Sequence, residues 1–435
     1  MSMESLKILL SAYSCEPGRG SEPGVGWRWA LELARLGHEV WVITRDKRRE
    51  GINRHRAAQA MPANLHFVYY DLPNWAAWWK SGNRGVHLYY VLWQWGAWRR
   101  ARELHERLGF DAVHHITFGV MRHPSFMARL RIPCVIGPLG GGERAPLALR
   151  RHLTPAERLR EAARDAANLA ARFDPWVRRM LAEAALILAK TPETLQWLGG
   201  KYRDKAGCMF EIGVDPAPRG IDVDPPAALD GALRMLYVGR FVQWKGMGLG
   251  LRAVARLRAR GVDARLTMIG QGPELARWQA LSRSLGIAEF VSWVAWMKQD
   301  DLLRTYRSFD ALLFPSLHDS SGNVVLESFA CGLPVVCLAL GGPAQLVDDS
   351  CGRVVAVAGR TEEQVIDDLA GELEQMSADP VLRAALREGA LSRARRYTWP
   401  QVVSRVWGPE GCAYRLVAGT TAPRRHPGLQ LEGQI

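Results

Sequence analysis

The sequence alternates short apolar runs with longer amphipathic segments, and this alternation restricts the chain to few folds. In the first half, the apolar runs predict strands at 7–13, 40–44, 65–70, 112–116, 134–137 and 186–190. A second series predicts strands at 234–238, 265–270, 290–294, 311–314, 335–338 and 353–357. Strands that alternate with helices are typical of parallel sheets covered on both faces. We therefore expect an α/β protein with two Rossmann-like parallel sheets.

The stretch between the two series is rich in proline and aspartate and has no hydrophobic period, which predicts an interdomain linker at 214–232. The N-terminal domain is then 1–213 and the C-terminal domain 233–395. A helix is expected at 396–408, and 409–435 are expected to be a disordered tail because they lose the apolar pattern. Asp222 and Asp224 form an Asp-x-Asp in the linker, which we interpret as solvated charge; no metal site is expected.

Composition narrows the class of protein and of partner. No apolar run reaches the roughly 18 residues that predict a membrane span, and the seven cysteines are scattered without a C-x-x-C pair, as in reduced cytosolic proteins. We therefore expect a cytoplasmic protein. The formal charge of +13 predicts an anionic partner, such as nucleic acid, an anionic membrane or a phosphorylated substrate. Nucleic acid ranks lowest, because no zinc-finger, RNP-like or helix-turn-helix pattern stands out.

Four charged residues follow the ends of two predicted strands in the C-terminal half. Arg240 and Lys245 lie after the first strand of this half, and Asp319 and Glu327 lie after the fourth. Guanidinium and ammonium groups bind phosphate oxygens through charge-assisted hydrogen bonds. Carboxylates on either side of Gly322, where a helix is expected to begin, suit the hydroxyls of a sugar. The pattern predicts the binding of a nucleotide-sugar.

At these residues the sequence resembles the family-4 retaining glycosyltransferases. The family pattern has an Arg-x-x-x-x-Lys pair, two acids separated by seven residues, and a Gly-x-Pro-Val-Val run, here 332–336. The resemblance implies the GT-B fold, with two Rossmann-like domains facing each other across a cleft, and implies that the helix at 396–408 crosses back to the N-terminal domain. The first acid is Asp319, where the family usually has Glu, so its carboxylate has less reach.

The resemblance also implies roles for individual residues. Arg240 and Lys245 would stabilise the leaving diphosphate, and Glu327 would bind the ribose hydroxyls. Asp319 would hold the donor sugar together with a set of residues that are mostly glycines or lie at the helix start: Gly239, Gly272, Ser321, Gly322, Asn323 and Val324. No cofactor is implied beyond a UDP- or GDP-linked sugar as co-substrate, and no metal.

In the N-terminal half, the resemblance places Gly24 and Gly26 near the diphosphate, although a mobile surface loop is an open alternative. It places Glu16, Glu22 and Glu143 towards the acceptor. The family has a donor-contacting histidine near the end of the fourth strand, and this chain offers His114 and His115 there. We favour His115, with a structural histidine as the alternative.

Aromatic and basic residues are concentrated in the N-terminal half. Two interpretations stay open, a peripheral contact with an anionic membrane at its inner face, or core aromatics with solvated arginines. The aromatic residues concerned are Trp75, Trp78, Trp79, Tyr89, Tyr90, Trp93, Trp95 and Trp98, and the arginines include Arg150, Arg151, Arg158, Arg160 and Arg164.

The functional hypothesis is a retaining, metal-independent glycosyltransferase that uses a UDP- or GDP-sugar. Its acceptor would be a polysaccharide or a lipid-linked glycan, as in assembly of the cell envelope. Two rivals remain: a GT-B nucleotide-sugar epimerase, which would act without an acceptor, and a non-catalytic nucleotide-sugar-binding subunit.

Overall fold

The computed structural model describes residues 3–79, 85–151, 153–215 and 231–419. Within these ranges the chain forms two compact units, each of which is described by itself. The first contains residues up to 142, 163–212 and those from 399 onwards, and the second contains 143–162 and 213–398. Most of the expected linker, including Asp222 and Asp224, and residues 420–435 of the expected tail lie outside the described residues.

The first unit is built on a parallel sheet of seven strands in the order β3-β2-β1-β4-β5-β6-β7. Register is regular in its centre, where Ile8 pairs with Val40 on one side and with Ala112 on the other. The strands are β1 Lys7–Ser11, β2 Glu39–Thr44, β3 Leu65–Tyr69, β4 Ala112–His115, β5 Cys134–Leu139, β6 Leu186–Ala189 and β7 Ala206–Cys208. The six predicted strands are present, and the short edge strand β7 was not predicted.

Helices cover both faces of this sheet. Their bounds are α1 Ser21–Arg35, α2 Arg49–Ala58, α3 Asn74–Ala77, α4 Val86–Leu108, α5 Pro155–Ala171, α6 Pro175–Glu183 and α7 Pro192–Leu198, with α15 Trp399–Trp407 and α16 Cys412–Val417 near the end of the described chain. The part of α5 up to residue 162 groups with the second unit. Helix α7 begins as the sequence predicts, with the Thr191 hydroxyl accepting from the Thr194 amide and Pro192 in the first turn.

The second unit contains a parallel sheet of six strands in the order β10-β9-β8-β11-β12-β13. Its strands are β8 Leu233–Val238, β9 Ala264–Ile269, β10 Val291–Val294, β11 Ala311–Phe314, β12 Val335–Leu338 and β13 Gly352–Val355. Its helices are α8 Met247–Ala259, α9 Leu275–Ser284, α10 Gln299–Tyr306, α11 Asn323–Ala330, α12 Pro343–Leu346, α13 Glu362–Ala378 and α14 Pro380–Arg395. The prediction of two Rossmann-like parallel sheets is confirmed.

The structure differs from the expected boundaries in three places. Helix α1 begins at Ser21, four residues before the helix start expected at Val25, so that Gly24 as well as Gly26 lies in the helix. Residues 143–162 group with the second unit, although they precede β6 of the first sheet. Helix α16 lies in the expected tail, where the buried Tyr414 hydroxyl accepts from the Glu4 amide at 2.9 Å. The expectation of disorder is therefore wrong for 412–417. No sequence signal indicated this helix, because a helix of six residues is too short to show a hydrophobic period.

Candidate functional site

The first candidate loop follows β8 at the carboxyl edge of the second sheet, where ligands of parallel α/β sheets usually bind. Arg240 is exposed, and its guanidinium forms no hydrogen bond or ion pair with residues in the described ranges. Its carbonyl accepts from the Tyr237 hydroxyl at 3.0 Å. A short 3-10 helix, Gln243–Lys245, then leads to Gly246 and α8. This loop therefore presents a free cation from a well-fixed backbone.

The second candidate loop follows β11 and leads into α11. Asp319, Ser321, Asn323 and Val324 are partly exposed, and Gly322 caps the helix with φ +79°. Glycine adopts this left-handed conformation without the strain that a side chain would cause. The amides of the first helical turn carry the positive end of the helix dipole, which favours an anion at this position.

The two loops cross and are joined by direct bonds. The Trp244 carbonyl accepts from the Leu317 amide at 2.8 Å and from the Ser316 hydroxyl at 3.2 Å. The Lys245 ammonium forms an ion pair with the Asp319 carboxylate, and both side chains are less than one-fifth exposed. The structure thus brings together Lys245 and Asp319, which are 74 positions apart in the sequence.

Glu327 lies on α11, one turn beyond the helix start. Its carboxylate accepts a hydrogen bond from the Tyr306 hydroxyl of α10 at 3.3 Å. Burial raises the pKa of Glu327, and hydrogen bonds from Gln299 and Tyr306 oppose that rise. This carboxyl group is therefore held by the neighbouring helix α10, and no direct contact joins it to Asp319 in the described structure.

The two glycines predicted at the donor site of this unit have a structural reason. A Cβ atom on Gly272 would lie 2.2 Å from the Phe241 carbonyl oxygen. Gly239 has φ +155°, and its carbonyl approaches Gly270 so closely that a Cβ there would meet it at 1.9 Å. These glycines allow the loop after β8 to cross the loop after β9, which fixes the backbone on either side of Arg240.

In the first unit, Gly24 and Gly26 also serve close packing. A Cβ atom on Gly24 would lie 2.3 Å from the Arg19 carbonyl oxygen, and one on Gly26 would lie 2.2 Å from that of Ser14. Helix α1 can therefore pack against the loop after β1. Glu16 in that loop is 8% exposed and is paired with Arg48 and Arg19, so its charge is already neutralised. A small open cavity lies beside this pair, lined by Glu16, Pro17, Gly18, Arg19, Gly51, Arg54 and His55.

The structure does not support His115 as a donor contact. Its ring is 2% exposed, with Nδ1 3.1 Å from the Ser11 hydroxyl and Nε2 2.8 Å from the Tyr90 hydroxyl. Burial, together with the neighbouring His114, lowers the pKa of His115 to about 3. His114 is equally buried and accepts from the Trp407 indole at 3.1 Å. Both rings are structural, because helices cover both faces of β4.

Glu22 lies among groups that the sequence patterns did not indicate. Its carboxylate accepts from the Phe118 amide at 3.1 Å, and Phe118 has φ +58°, a strained value for a bulky residue. Burial raises the pKa of Glu22, while the Lys190 ammonium opposes this rise. Lys190 pairs with Glu211 at 2.5 Å. Lys190 directly follows β6, so the rule that polar residues after strands mark sites could have found it.

Glu143 is 1% exposed and groups with the second unit, so it does not lie with Glu16 and Glu22 in the first. It lies beside Gly341, whose Cβ, if present, would be 3.4 Å from the Glu143 Cγ and 2.2 Å from the Asp319 carbonyl oxygen. The resemblance implied a place on the acceptor side for Glu143. The structure places it next to the loop that carries Asp319, and its role towards the acceptor stays a prediction.

A metal site needs a cluster of ligating side chains, and a membrane span needs a long apolar helix. Within the described ranges, no group of three or more His, Cys, Asp or Glu side chains could hold a metal ion. Among the helices of the same ranges, none is both long and apolar enough to cross a bilayer. All seven cysteines are free thiols.

Comparison with known proteins gives matches over part of the sequence. Residues 224–393 match the family model described as glycosyl transferases group 1. The D-inositol 3-phosphate glycosyltransferase of Stackebrandtia nassauensis is 34% identical over 207 residues, covering 46% of this chain and 45% of that protein. The protein of the same name from Actinosynnema mirum is 30% identical over 251 residues, covering 54% and 59%. The match therefore spans about half the length of these curated relatives.

Solved structures match over nearly the whole chain. The lipopolysaccharide outer core galactosyltransferase WaaB has a TM-score of 0.61 at 14% identity, covering 96% of this chain and 100% of that chain. WaaG, a glycosyltransferase involved in lipopolysaccharide biosynthesis, has a TM-score of 0.56 at 19% identity, covering 95% and 100%. HepE from Anabaena, in complex with UDP, has a TM-score of 0.57 at 15% identity, covering 92% and 98%. At these identities the likeness is one of fold, and it confirms the GT-B fold class.

Proposed function

We propose that the protein transfers a sugar from a UDP- or GDP-sugar to a polysaccharide or lipid-linked acceptor. The match of residues 224–393 to the family model of the glycosyl transferases group 1 supports this proposal. The observation that carries this proposal is the crossing of the two loops, which puts Lys245 against Asp319. Cations for a diphosphate and a carboxylate for sugar hydroxyls come together there, beside the start of α11.

The donor is proposed to bind this loop pair with its diphosphate on the cations. Arg240 is exposed and able to meet phosphate oxygens, and Lys245 would exchange part of its contact with Asp319 for them. The amides at Ser321–Val324 would add hydrogen bonds to the same charge. A UDP donor is favoured because the neighbour HepE has been solved in complex with UDP and with UDP-glucose.

Catalysis in this proposal is mainly electrostatic. Negative charge grows on the diphosphate as the sugar leaves, and fixed cations stabilise that charge more in the transition state than in the bound donor. Asp319 would accept hydrogen bonds from sugar hydroxyls and so orient the ring, and Glu327 would accept them from the ribose. We propose that the anomeric configuration is retained and that no metal is needed.

The acceptor is proposed to carry hydroxyl groups on a glycan or lipid-linked sugar. Glu22, beside Lys190 and Glu211 at the carboxyl edge of the first sheet, is the best-placed acidic residue of that unit. The curated relatives are named D-inositol 3-phosphate glycosyltransferases, which makes D-inositol 3-phosphate the first acceptor to test.

We propose a cytoplasmic protein that touches the inner face of an anionic membrane. Two exposed tryptophans precede α4: Trp75 is 80% exposed and Trp78 is 82% exposed. Leu88 and Leu92, exposed on one face of α4, are followed two turns later by the exposed Arg99. Tryptophan and arginine are the side chains that favour a membrane interface.

Vesicle sedimentation tests this membrane contact. Vesicles with about one-third anionic lipid should retain the wild type at low salt and lose the Trp75→Ser/Trp78→Ser variant. Trp296→Ser is the matched control, because Trp296 is 71% exposed but lies in the second unit. Equal retention of all three proteins, or no retention of any, would exclude the membrane contact.

The test of the proposed activity is turnover of a panel of UDP- and GDP-sugars, measured as release of the nucleoside diphosphate with and without D-inositol 3-phosphate. We expect one donor to be turned over in the presence of EDTA, with the product in the donor's anomeric configuration by NMR. Lys245→Ala should reduce the rate by about 10²- to 10³-fold. Conversion of the donor sugar without any acceptor would instead identify an epimerase, and donor binding without turnover a non-catalytic subunit.

A further inference from the structure

A buried hydrogen bond connects residues 143–162 to the loop that carries Asp319. The Glu161 carboxylate lies 3.2 Å from Nε2 of His318, and the two side chains are 9% and 10% exposed. The other Glu161 oxygen lies 4.0 Å from the Arg150 guanidinium, whose Nε donates to the Ala145 carbonyl at 2.9 Å. Glu161 and His318 are separated by 157 positions in the sequence and both belong to the second unit.

His318 in turn supports the residue that precedes Lys245. Its ring stacks on the Trp244 indole, with centroids 5.7 Å apart and an angle of 20° between the planes. Two contacts therefore fix Trp244: the His318 ring stacks on its side chain, and the Leu317 amide donates a hydrogen bond to its carbonyl. The Lys245 amide donates to the Val242 carbonyl at 3.0 Å, which ties the same turn back towards Arg240.

We propose that Glu161 and His318 are positioning residues for the donor diphosphate. Glu161 fixes the orientation of the His318 ring, the ring fixes Trp244, and Trp244 fixes the turn that carries Lys245. A fixed cation binds phosphate more tightly than a mobile one, because less conformational freedom is lost on binding. This inference rests on the proposed function, since it requires a nucleoside diphosphate at Lys245.

Attachment of residues 143–162 does not by itself explain this contact. The same segment has an independent anchor, in which both Glu157 carboxylate oxygens lie 3.1–3.2 Å from the Arg277 guanidinium of α9. The Glu161 side chain is only 9% exposed, and burial of a carboxylate costs free energy unless it is well paired. A buried acid next to His318 therefore serves the orientation of that ring, and Glu157→Gln becomes a matched control.

The experiment is calorimetric binding of UDP to the wild type, to five variants that test this inference and to Arg240→Ala. Glu161→Ala, which removes the acceptor of the hydrogen bond, and His318→Gln, which removes the ring, should each weaken UDP binding about tenfold. Glu161→Gln keeps an oxygen acceptor and should stay within about threefold of the wild type. The double variant Glu161→Ala/His318→Gln should be no weaker than the worse single variant, because both changes break one chain of contacts. Glu157→Gln should leave binding unchanged within about twofold.

Thermal unfolding of each variant identifies any that fail to fold, and His318→Gln keeps the test decisive if Glu161→Ala is among them. The inference is overturned if Glu161→Ala and His318→Gln bind UDP as the wild type does. It is also overturned if Glu157→Gln weakens binding as much as they do, since the effect would then be a general loosening of the segment. If the wild type binds no nucleoside diphosphate, the proposed function fails as well; if it binds UDP and Arg240→Ala does not, only this inference is at risk.

Discussion

Replacement of Asp319 by Asn should separate binding of the diphosphate from transfer of the sugar. In the structure the Asp319 carboxylate is paired with Lys245, so a diphosphate has to compete with it and also meets its negative charge. A unit charge about 7 Å from another, at an effective dielectric constant of about 40, gives a repulsion of roughly 1 kcal/mol. Removing it should therefore tighten UDP binding by roughly fivefold.

Turnover of the UDP-sugar should change in the opposite direction. The Asn side chain keeps the shape of Asp319 but has one oxygen acceptor and no charge, so it holds donor hydroxyls less well. We expect the rate of transfer to fall by about 10²-fold. The assay combines UDP calorimetry with product release for the wild type, Asp319→Asn and Lys245→Met.

Lys245→Met is the matched comparison, because it removes the other half of the same pair. It should weaken UDP binding, whereas Asp319→Asn should not. If both variants weaken UDP binding equally while remaining folded by thermal unfolding, the pair acts as a structural unit only. The assignment of Asp319 to the sugar would then be wrong.

Three further predictions concern the backbone, the core and pH. Gly246→Ala should reduce UDP affinity at least about tenfold, because Gly246 has φ +68° and a Cβ there would lie 1.9 Å from the Pro315 carbonyl oxygen. Gly248→Ala is the control and should leave UDP affinity unchanged, because a Cβ on Gly248 would have no heavy atom within 4 Å. Trp407→Ala should lower the free energy of unfolding by about 3–5 kcal/mol in urea titrations, since its side chain is fully buried. The raised pKa of Glu327 means that the folded state binds its proton more tightly than the unfolded state, so its contribution to stability is present at low pH and is lost as pH rises through the folded-state pKa. Glu327→Gln should therefore gain stability relative to the wild type as pH rises from about 4 to 8, measured by urea unfolding at each pH.

Each of these three has a clear contrary result. Equal UDP affinities for Gly246→Ala and Gly248→Ala would show that the loop crossing does not fix the cations. A loss of less than about 1 kcal/mol for Trp407→Ala would mean that the first unit's core does not depend on α15. If the difference in unfolding free energy between Glu327→Gln and the wild type did not change with pH, folding would not raise the pKa of Glu327.

The sequence signals that succeeded are local ones. Short apolar runs and Thr191-Pro192 define β6 and the start of α7, and Gly322 marks the start of α11 after β11. Strand ends on a parallel sheet lie at one edge, so the sequence alone was enough to expect Lys245 and Asp319 near each other. The resemblance supplied their expected roles.

The features that were missed depend on contacts between distant parts of the chain. His115 was favoured because the resemblance implies a donor-contacting histidine near the end of the fourth strand, but α4 covers one face of β4 and α1 and α15 cover the other. Both rings are therefore buried. The bond between Glu161 and His318 has no local signal either, since nothing in a helical stretch of mixed charge indicates which carboxylate will be desolvated.

The central claim is that the loops after β8 and β11 bind a nucleoside diphosphate. Calorimetric titration of UDP, GDP and ADP into the wild type and Arg240→Ala tests it most directly, because Arg240 is exposed and its replacement should leave the fold intact. We predict that the wild type binds one of the three most tightly and that Arg240→Ala loses at least about tenfold in affinity. Binding of none of them at millimolar concentration, or equal binding by both proteins, would contradict the account.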